Sequence, residues 1–347
     1  MKKFEQLCAQ WRLLESYGDI QHETVKALDA AQDAEDEKLM AQICRHVIGE
    51  EAPNHLYSPD FQIACLHWLT EDCIERLNLR KTEKAKKKVC QELSHCLWAY
   101  KWFIADLPLM PDMSKERIEF YNEVMREYYE RGELGTAMLH KCLMLQAMNM
   151  GDIERAKIHH QAWHQSEKDD FSDCEACELN DEIHYRHFIG QYKQTVQLAQ
   201  PILDGSMSCG EVPHNTYYPI IDSLIESDQW TEAAAQMHKA VQLIESAGED
   251  FIHLLPRLIQ LQIKLGQYDT AQSLSEKYHE AIGRRSQNHP IITLHYLSAM
   301  AYFKENIFVS AKELAQDLSQ MYDKRNGNAY YSKRLQQLLN AQQMTLQ

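Results

Sequence analysis

The stretch Gly266-Gln267-Tyr268-Asp269-Thr270-Ala271 decides the fold, because near-copies of it recur along the chain. Gly151-Asp152-Ile153-Glu154-Arg155-Ala156, Gly190-Gln191-Tyr192-Lys193-Gln194-Thr195 and Asp228-Gln229-Trp230-Thr231-Glu232-Ala233 precede it. A degenerate copy, Glu305-Asn306-Ile307 with Ala311 behind it, follows. First positions 151, 190, 228, 266 and 305 are separated by 39, 38, 38 and 39 residues. A fixed period of this size signals stacked supersecondary units. Each unit reads as a first helix, a tight turn and a second helix. The glycine closes the first helix, where a left-handed residue is tolerated. The aromatic or isoleucine two places on is expected to wedge between the helices. The small residue three further lets them approach closely.

Composition agrees with an all-α chain. Only 12 glycines and 9 prolines occur in 347 residues, too few for recurring hairpin turns, while 44% of residues are apolar, enough for a core. The formal charge of −15 disfavours nucleic acid and anionic lipid as partners. The most basic run, Arg80-Lys81-Thr82-Glu83-Lys84-Ala85-Lys86-Lys87-Lys88, reads as a solvated helix face. Met1-Lys2-Lys3 opens an amphipathic segment rather than a signal peptide, and no apolar run reaches the ~18 residues of a membrane span. A cytoplasmic protein is expected, with its ten cysteines reduced.

Residues 1–110 read as an N-terminal helical region of about five helices: 4–17, broken by Gly18-Asp19, then 22–31, 35–48, 60–79 and 81–106, the last ended by Leu107-Pro108-Leu109-Met110-Pro111. Within it, Trp98 and Trp102 share one helix face, with Tyr100 elsewhere on the helix surface; a core seam and a ligand anchor both fit. Residues 111–330 form the repeat array, opened by Ser114 as an N-cap, and 331–347 a capping helix and tail.

The Gly-x-Tyr-x-x-Ala turn, clearest at Gly266, Tyr268 and Ala271, resembles the tetratricopeptide repeat (TPR) family over about residues 114–330. The period exceeds the family's about 34 residues by roughly one helical turn. The family's small residue in the middle of the first helix falls on Met144, Ile183, Ile221 and Ile259. Trp98-Ala99-Tyr100-Lys101-Trp102, the Leu-Pro segment after it and Asp173-Cys174-Glu175-Ala176-Cys177 are similar to a loose group of bacterial TPR proteins. The resemblance implies an α-solenoid of TPR-like repeats behind an N-terminal helical bundle, its first helices lining a concave groove.

Cys174-x2-Cys177, followed after 31 intervening residues by Cys209-x4-His214, supplies three thiolates and an imidazole, a tetrahedral zinc set. Ser172 and Glu175 look like a capping box, which places Cys174 and Cys177 in the first turn of a first helix. Cys209 and His214 lead into the next one. Adjacent first helices stack about 10 Å apart, so the four groups can converge on one rim. Reduced cysteines without metal, or a Cys174/Cys177 thiol-redox pair, remain alternatives, with Asp173 and His187 as spare ligands. His159, His160 and His164 read as exposed helix histidines, and the other cysteines as small core residues.

Neither a phosphate-binding loop nor a dinucleotide fingerprint, a nucleophile elbow or a zinc-protease helix is present, so no enzyme is expected. The leading expectation is a non-enzymatic adaptor holding a peptide or protein partner in the groove, through Asn180, His184, Tyr218, Asp222, Arg257 and Gln260. The runner-up is a peptide-responsive regulator with the N-terminal bundle as effector.

Overall fold

A computed structural model describes residues 2–50, 52–303 and 310–344, and all regular structure among them is helical. No helix among the described residues is long and apolar enough to cross a membrane. The chain forms two compact units: Met1–Gln146 with His160–Phe171 and Gln287–His289, and Ala147–His159 with Ser172–Ser286 and Pro290–Gln347.

Unit 1 holds α1 (Lys2–Trp11), α2 (Tyr17–Asp33), α3 (Glu37–Ile48), α4 (Pro59–Leu79), α5 (Glu83–Phe103), α6 (Lys115–Arg131) and most of α7 (Ala137–Met150). The expected break at Gly18-Asp19 lies inside α2. Ser16 caps that helix instead, its Oγ accepting from Asp19 N at 3.2 Å. One cap is worth about 1 kcal/mol, which offsets the similar cost of a glycine in the first turn. Ser114 does cap α6, accepting from Arg117 N. Tyr100 is fully buried in one core with Leu66, Phe103 and Tyr129, while Trp98 and Trp102 pack half-buried around that core. Ile118, Met125, Tyr129 and Leu139, which the repeat pattern assigns to the array, are also in this core.

Unit 2 is built on the repeated turns. After α7 and before α8 (Ile153–Gln165), after α9 (Glu175–Phe188) and before α10 (Tyr192–Leu198), between α12 (Tyr217–Ile225) and α13 (Trp230–Ser246), and between α14 (Leu255–Lys264) and α15 (Tyr268–Ser286), the backbone does the same thing. Gly151, Gly190, Asp228 and Gly266 have φ of 72°, 79°, 59° and 72°. In each case the next amide reaches back five residues: Asp152 N to Ala147 O, Gln191 N to Arg186 O, Gln229 N to Leu224 O and Gln267 N to Gln262 O, at 2.8–2.9 Å. This is the Schellman closure, which satisfies carbonyls that the helix end would orphan. The fifth copy, at 305–307, lies outside the described residues.

The small residue behind each turn does what its size requires: Ala156, Thr195, Ala233 and Ala271 are all fully buried. The wedge is different. Ile153 and Trp230 are 43% and 48% exposed, so the small residue alone brings the helices together there. Ile183, Ile221 and Ile259 are fully buried, so bulk fills the interior of each first helix. Each such side chain contributes about 1.5–3 kcal/mol by burial.

The first helices α9, α12, α14 and α16 (Pro290–Met300) pack on one another in order, with α13, α15 and α17 (Ala311–Asn326) against them. A short α11 (Gln200–Leu203) follows α10, and 3-10 turns at His214–Thr216 and Ile252–Leu254 introduce α12 and α14. The last helix, α18 (Tyr330–Met344), does more than end the stack. The Asp323 carboxylate caps its start, accepting from Tyr331 N and Ser332 N at 2.9 and 3.0 Å. It then lies against the first helices: Arg334 bonds the Tyr218 hydroxyl and Tyr330 packs edge-on to Phe188. Its base is held at the beginning of the unit, where Asn328 Nδ2 donates to Met150 O at 2.7 Å and Tyr331 Oη to Asn149 O at 2.6 Å.

Candidate functional site

The sulfur cluster forms at the entrance to α9. The helix opens with Cys174 as its N-cap (φ −65°, ψ 157°), not Ser172, so Cys174 stands just ahead of the first turn and Cys177 within it. Cys209 comes from the loop before α12, in a turn closed by Cys209 N to Val212 O at 3.1 Å. The three Sγ atoms lie within 4.8 Å of one another, and Cys177 Sγ to Cys209 Sγ is 3.2 Å. Zinc–sulfur bonds of about 2.3 Å in a tetrahedron put sulfurs about 3.8 Å apart, so the cluster is of metal-site dimensions. Burial raises the Cys174 thiol, but hydrogen bonds from the Cys177 and Ala176 amides and from the other thiols outweigh it and leave it below the ordinary value. Burial and the Cys209 and Cys174 thiols push Cys177 up, so of these two Cys174 gives up its proton more readily. Glu211 stands close by; burial and the charges of Asp181 and Asp173 raise its carboxyl.

His214, expected as the fourth ligand, is not in the cluster. The 3-10 turn at its position lays its ring on Phe251, with centroids 3.9 Å apart and planes 6° apart. Its Nδ1 is buried there without a hydrogen bond. The spare candidate His187 is three turns further along α9 and belongs to a different network. His160 and His164 face each other on α8, Nε2 to Nε2 at 3.1 Å.

The residues expected to bind a partner occupy the faces of the first helices, but most are committed to neighbouring turns of chain. Asn180 Oδ1 accepts from Thr216 Oγ1 at 2.8 Å. His184 Nε2 donates to Asn215 O at 3.0 Å, and burial together with the Arg257 charge lowers its imidazole to about 3. Gln260 Nε2 donates to His295 O at 2.6 Å. Asp222, 5% exposed, accepts from His187 Nε2 at 2.8 Å and Lys264 Nζ at 2.6 Å. Burial alone would raise the Asp222 carboxyl; His187 and Lys264 together hold it far below the usual range. Burial outweighs Asp222 at His187, so a neutral imidazole donates to a carboxylate. These side chains staple each first helix to the next.

Tyr218 and Arg257 differ. The Arg257 guanidinium lies over the Tyr218 ring at 3.5 Å, and its Nε is buried without an acceptor. Arg334 approaches the same tyrosine through its hydroxyl. A cavity of about 510 Å³ opens beside them, lined by Tyr218, Gln260, Lys264, His295, Ser319 and Arg334 among others. Sequence reasoning missed Lys264, His295, Ser319 and Arg334. Lys264 sits seven residues after Arg257, hence on the same helical face, and was legible on that ground. Arg334 was not, because nothing local says that α18 folds back. No family model matches this chain, and no curated protein and no solved structure matches it either.

Proposed function

We propose that the chain is a non-enzymatic binding scaffold of TPR-like helix pairs, whose first helices in unit 2 present the recognition face for a protein or peptide partner. The observation that carries this reading is the convergence of polar and cationic side chains from successive first helices, Tyr218, Arg257 and His295, on one face. Polar groups on an apolar frame are how such faces select partners. Asp222 and the staples around it keep that face in register.

In the same reading, the thiolates of Cys174, Cys177 and Cys209 would hold a structural zinc, its fourth ligand coming from outside this set. Zinc would supply a cross-link between the start of α9 and the loop before α12, and the lowered Cys174 thiol suits it. With an added disulfide oxidant taking up two electrons, Cys177 and Cys209, whose sulfurs are 3.2 Å apart, would instead lose their thiol protons and join as a disulfide. Metal analysis of protein purified under reducing conditions separates them: near-stoichiometric zinc supports the metal, and zinc-free protein with titrating thiols rejects it.

For the recognition face, the immobilised chain should retain a defined partner from extract of its native host. Arg257→Glu should reduce recovery at least about tenfold, as loss of charged contacts does. Undiminished recovery by the folded variant would reject the face.

A further inference from the structure

The cavity beside Tyr218 is unusual for so acidic a chain. Acidic residues outnumber basic ones 51 to 36, yet no carboxylate among the described residues forms an ion pair with Arg257 or Arg334. Lys264 is used up by Asp222 and Glu226, at 2.6 and 3.3 Å. Arg334 is satisfied only by the Tyr218 and Tyr330 hydroxyls, and Arg257 by the face of the Tyr218 ring. Two guanidiniums thus flank one aromatic ring with no carboxylate in contact with either; Asp222 and Glu226 also line the cavity but are turned to Lys264, and Asp222 reaches Arg334 only through its field, so an arriving anion would gain a direct partner.

Two further groups wait at the same place. Ser319, fully buried in the cavity wall, has an Oγ with no hydrogen-bond partner. His295 contributes a neutral imidazole, since burial and the charges of Arg257 and Arg334 hold it well below its ordinary value. The volume of about 510 Å³ far exceeds what a bare inorganic anion fills and falls in the range of small-molecule sites. Tyr192, Tyr218 and Trp230 offer flat apolar walls for an organic body.

We propose that this cavity binds an organic carboxylate, whose anionic end pairs with Arg334 in the field of Arg257 and whose body lies among the aromatic walls, reached by the Ser319 hydroxyl. Guanidinium forks match carboxylate geometry in two parallel hydrogen bonds. The proposal rests on the recognition face described above and names its ligand chemistry. A free carboxylic acid and the carboxylate of a peptide offer the same group.

The test titrates the full-length protein with aliphatic and aromatic mono- and dicarboxylates, their amides, and short acetylated peptides ending in carboxylate or carboxamide. Melting temperature and heat of binding are read. A carboxylate at millimolar concentration should raise melting by about 2 °C or more, and its amide should not. Response to free acids assigns the free source; response only to peptide carboxylates assigns the peptide source. Arg334→Gln should abolish the response. Ser319→Ala, which removes a hydroxyl with no partner, should leave the unliganded melting temperature unchanged and weaken binding about 3- to 10-fold. Absence of response to every carboxylate, or full affinity in folded Arg334→Gln, overturns the proposal. Partner recovery is scored in parallel. A retained partner with no carboxylate response sinks this inference alone, and carboxylate binding without any partner sinks the scaffold reading alone.

Discussion

His187 on α9 donates its Nε2 proton to the carboxylate of Asp222 on α12 at 2.8 Å, with both side chains less than 9% exposed. The bond joins two successive first helices where water does not intervene, and Lys264 on α14 extends it to a third. Asp222→Ala would leave the Lys264 ammonium and the His187 N–H without their acceptor. Denaturant unfolding should show a loss of about 3 kcal/mol or more. A loss under about 1 kcal/mol would mean that solvent already screens the site.

Acid should weaken the protein well before its carboxylates titrate. Burial depresses the imidazoles of His184, His187 and His295 below their unfolded value of about 6.5. A depressed group contributes stability that is present above its unfolded value and lost as pH falls through its folded one. Each such imidazole therefore removes up to about 1.4 kcal/mol per pH unit below about 6.5. Asp222, also depressed, adds a further loss only below its unfolded value of about 3.9. Melting temperatures from neutral pH to about pH 4.5 should fall steadily; a flat profile across that window contradicts neutral burial of these rings.

Two glycines in equivalent turns should respond unequally to alanine. At Gly266 the added methyl meets open space, so the cost is only that of holding φ at 72°, about 1–2 kcal/mol. At Gly151 the same φ is joined by a clash, since the new carbon would stand 2.4 Å from Cβ and Cγ of Tyr330. Gly151→Ala should lose at least about 1 kcal/mol more than Gly266→Ala, because α18 must shift. Asp228→Gly, relieving φ of 59°, should stabilise by up to about 1 kcal/mol. Equal losses at the two glycines would mean that α18 does not rest on the first turn.

Metal binding should follow the sulfurs and ignore the imidazole. Cys177→Ser and Cys209→Ser should each remove most of the zinc carried by reduced protein, while His214→Gln should keep it, since that ring is stacked on Phe251. Zinc lost from the His214 variant and retained in the cysteine variants would reverse this ligand assignment.

The turns were legible because their chemistry is local: a residue at positive φ, a small residue behind it and a fixed spacing suffice to place four of them. The convergence of Cys174, Cys177 and Cys209 followed from that spacing. What failed depended on non-local packing. Asn180, His184 and Gln260 are polar on an inner face, as a binding residue would be, yet each finds a backbone or hydroxyl of the neighbouring helix. His214 had the right spacing for zinc but the wrong rotation, set by a 3-10 turn and by Phe251. Gly18 read as a helix break because Ser16 was not weighed as a cap.

The grip of Tyr331 on the carbonyl of Asn149, 182 residues earlier, sets a limit on how this chain can have changed by duplication. Open helical stacks grow or shrink by whole modules, since every module touches only its neighbours. In unit 2 the final helix must span from the last pair back to the first turn. Copying or deleting one pair would alter that distance by about 10 Å, and the anchorage at Asn149 and Met150 would be lost. The module number is thereby fixed by the reach of a single terminal helix.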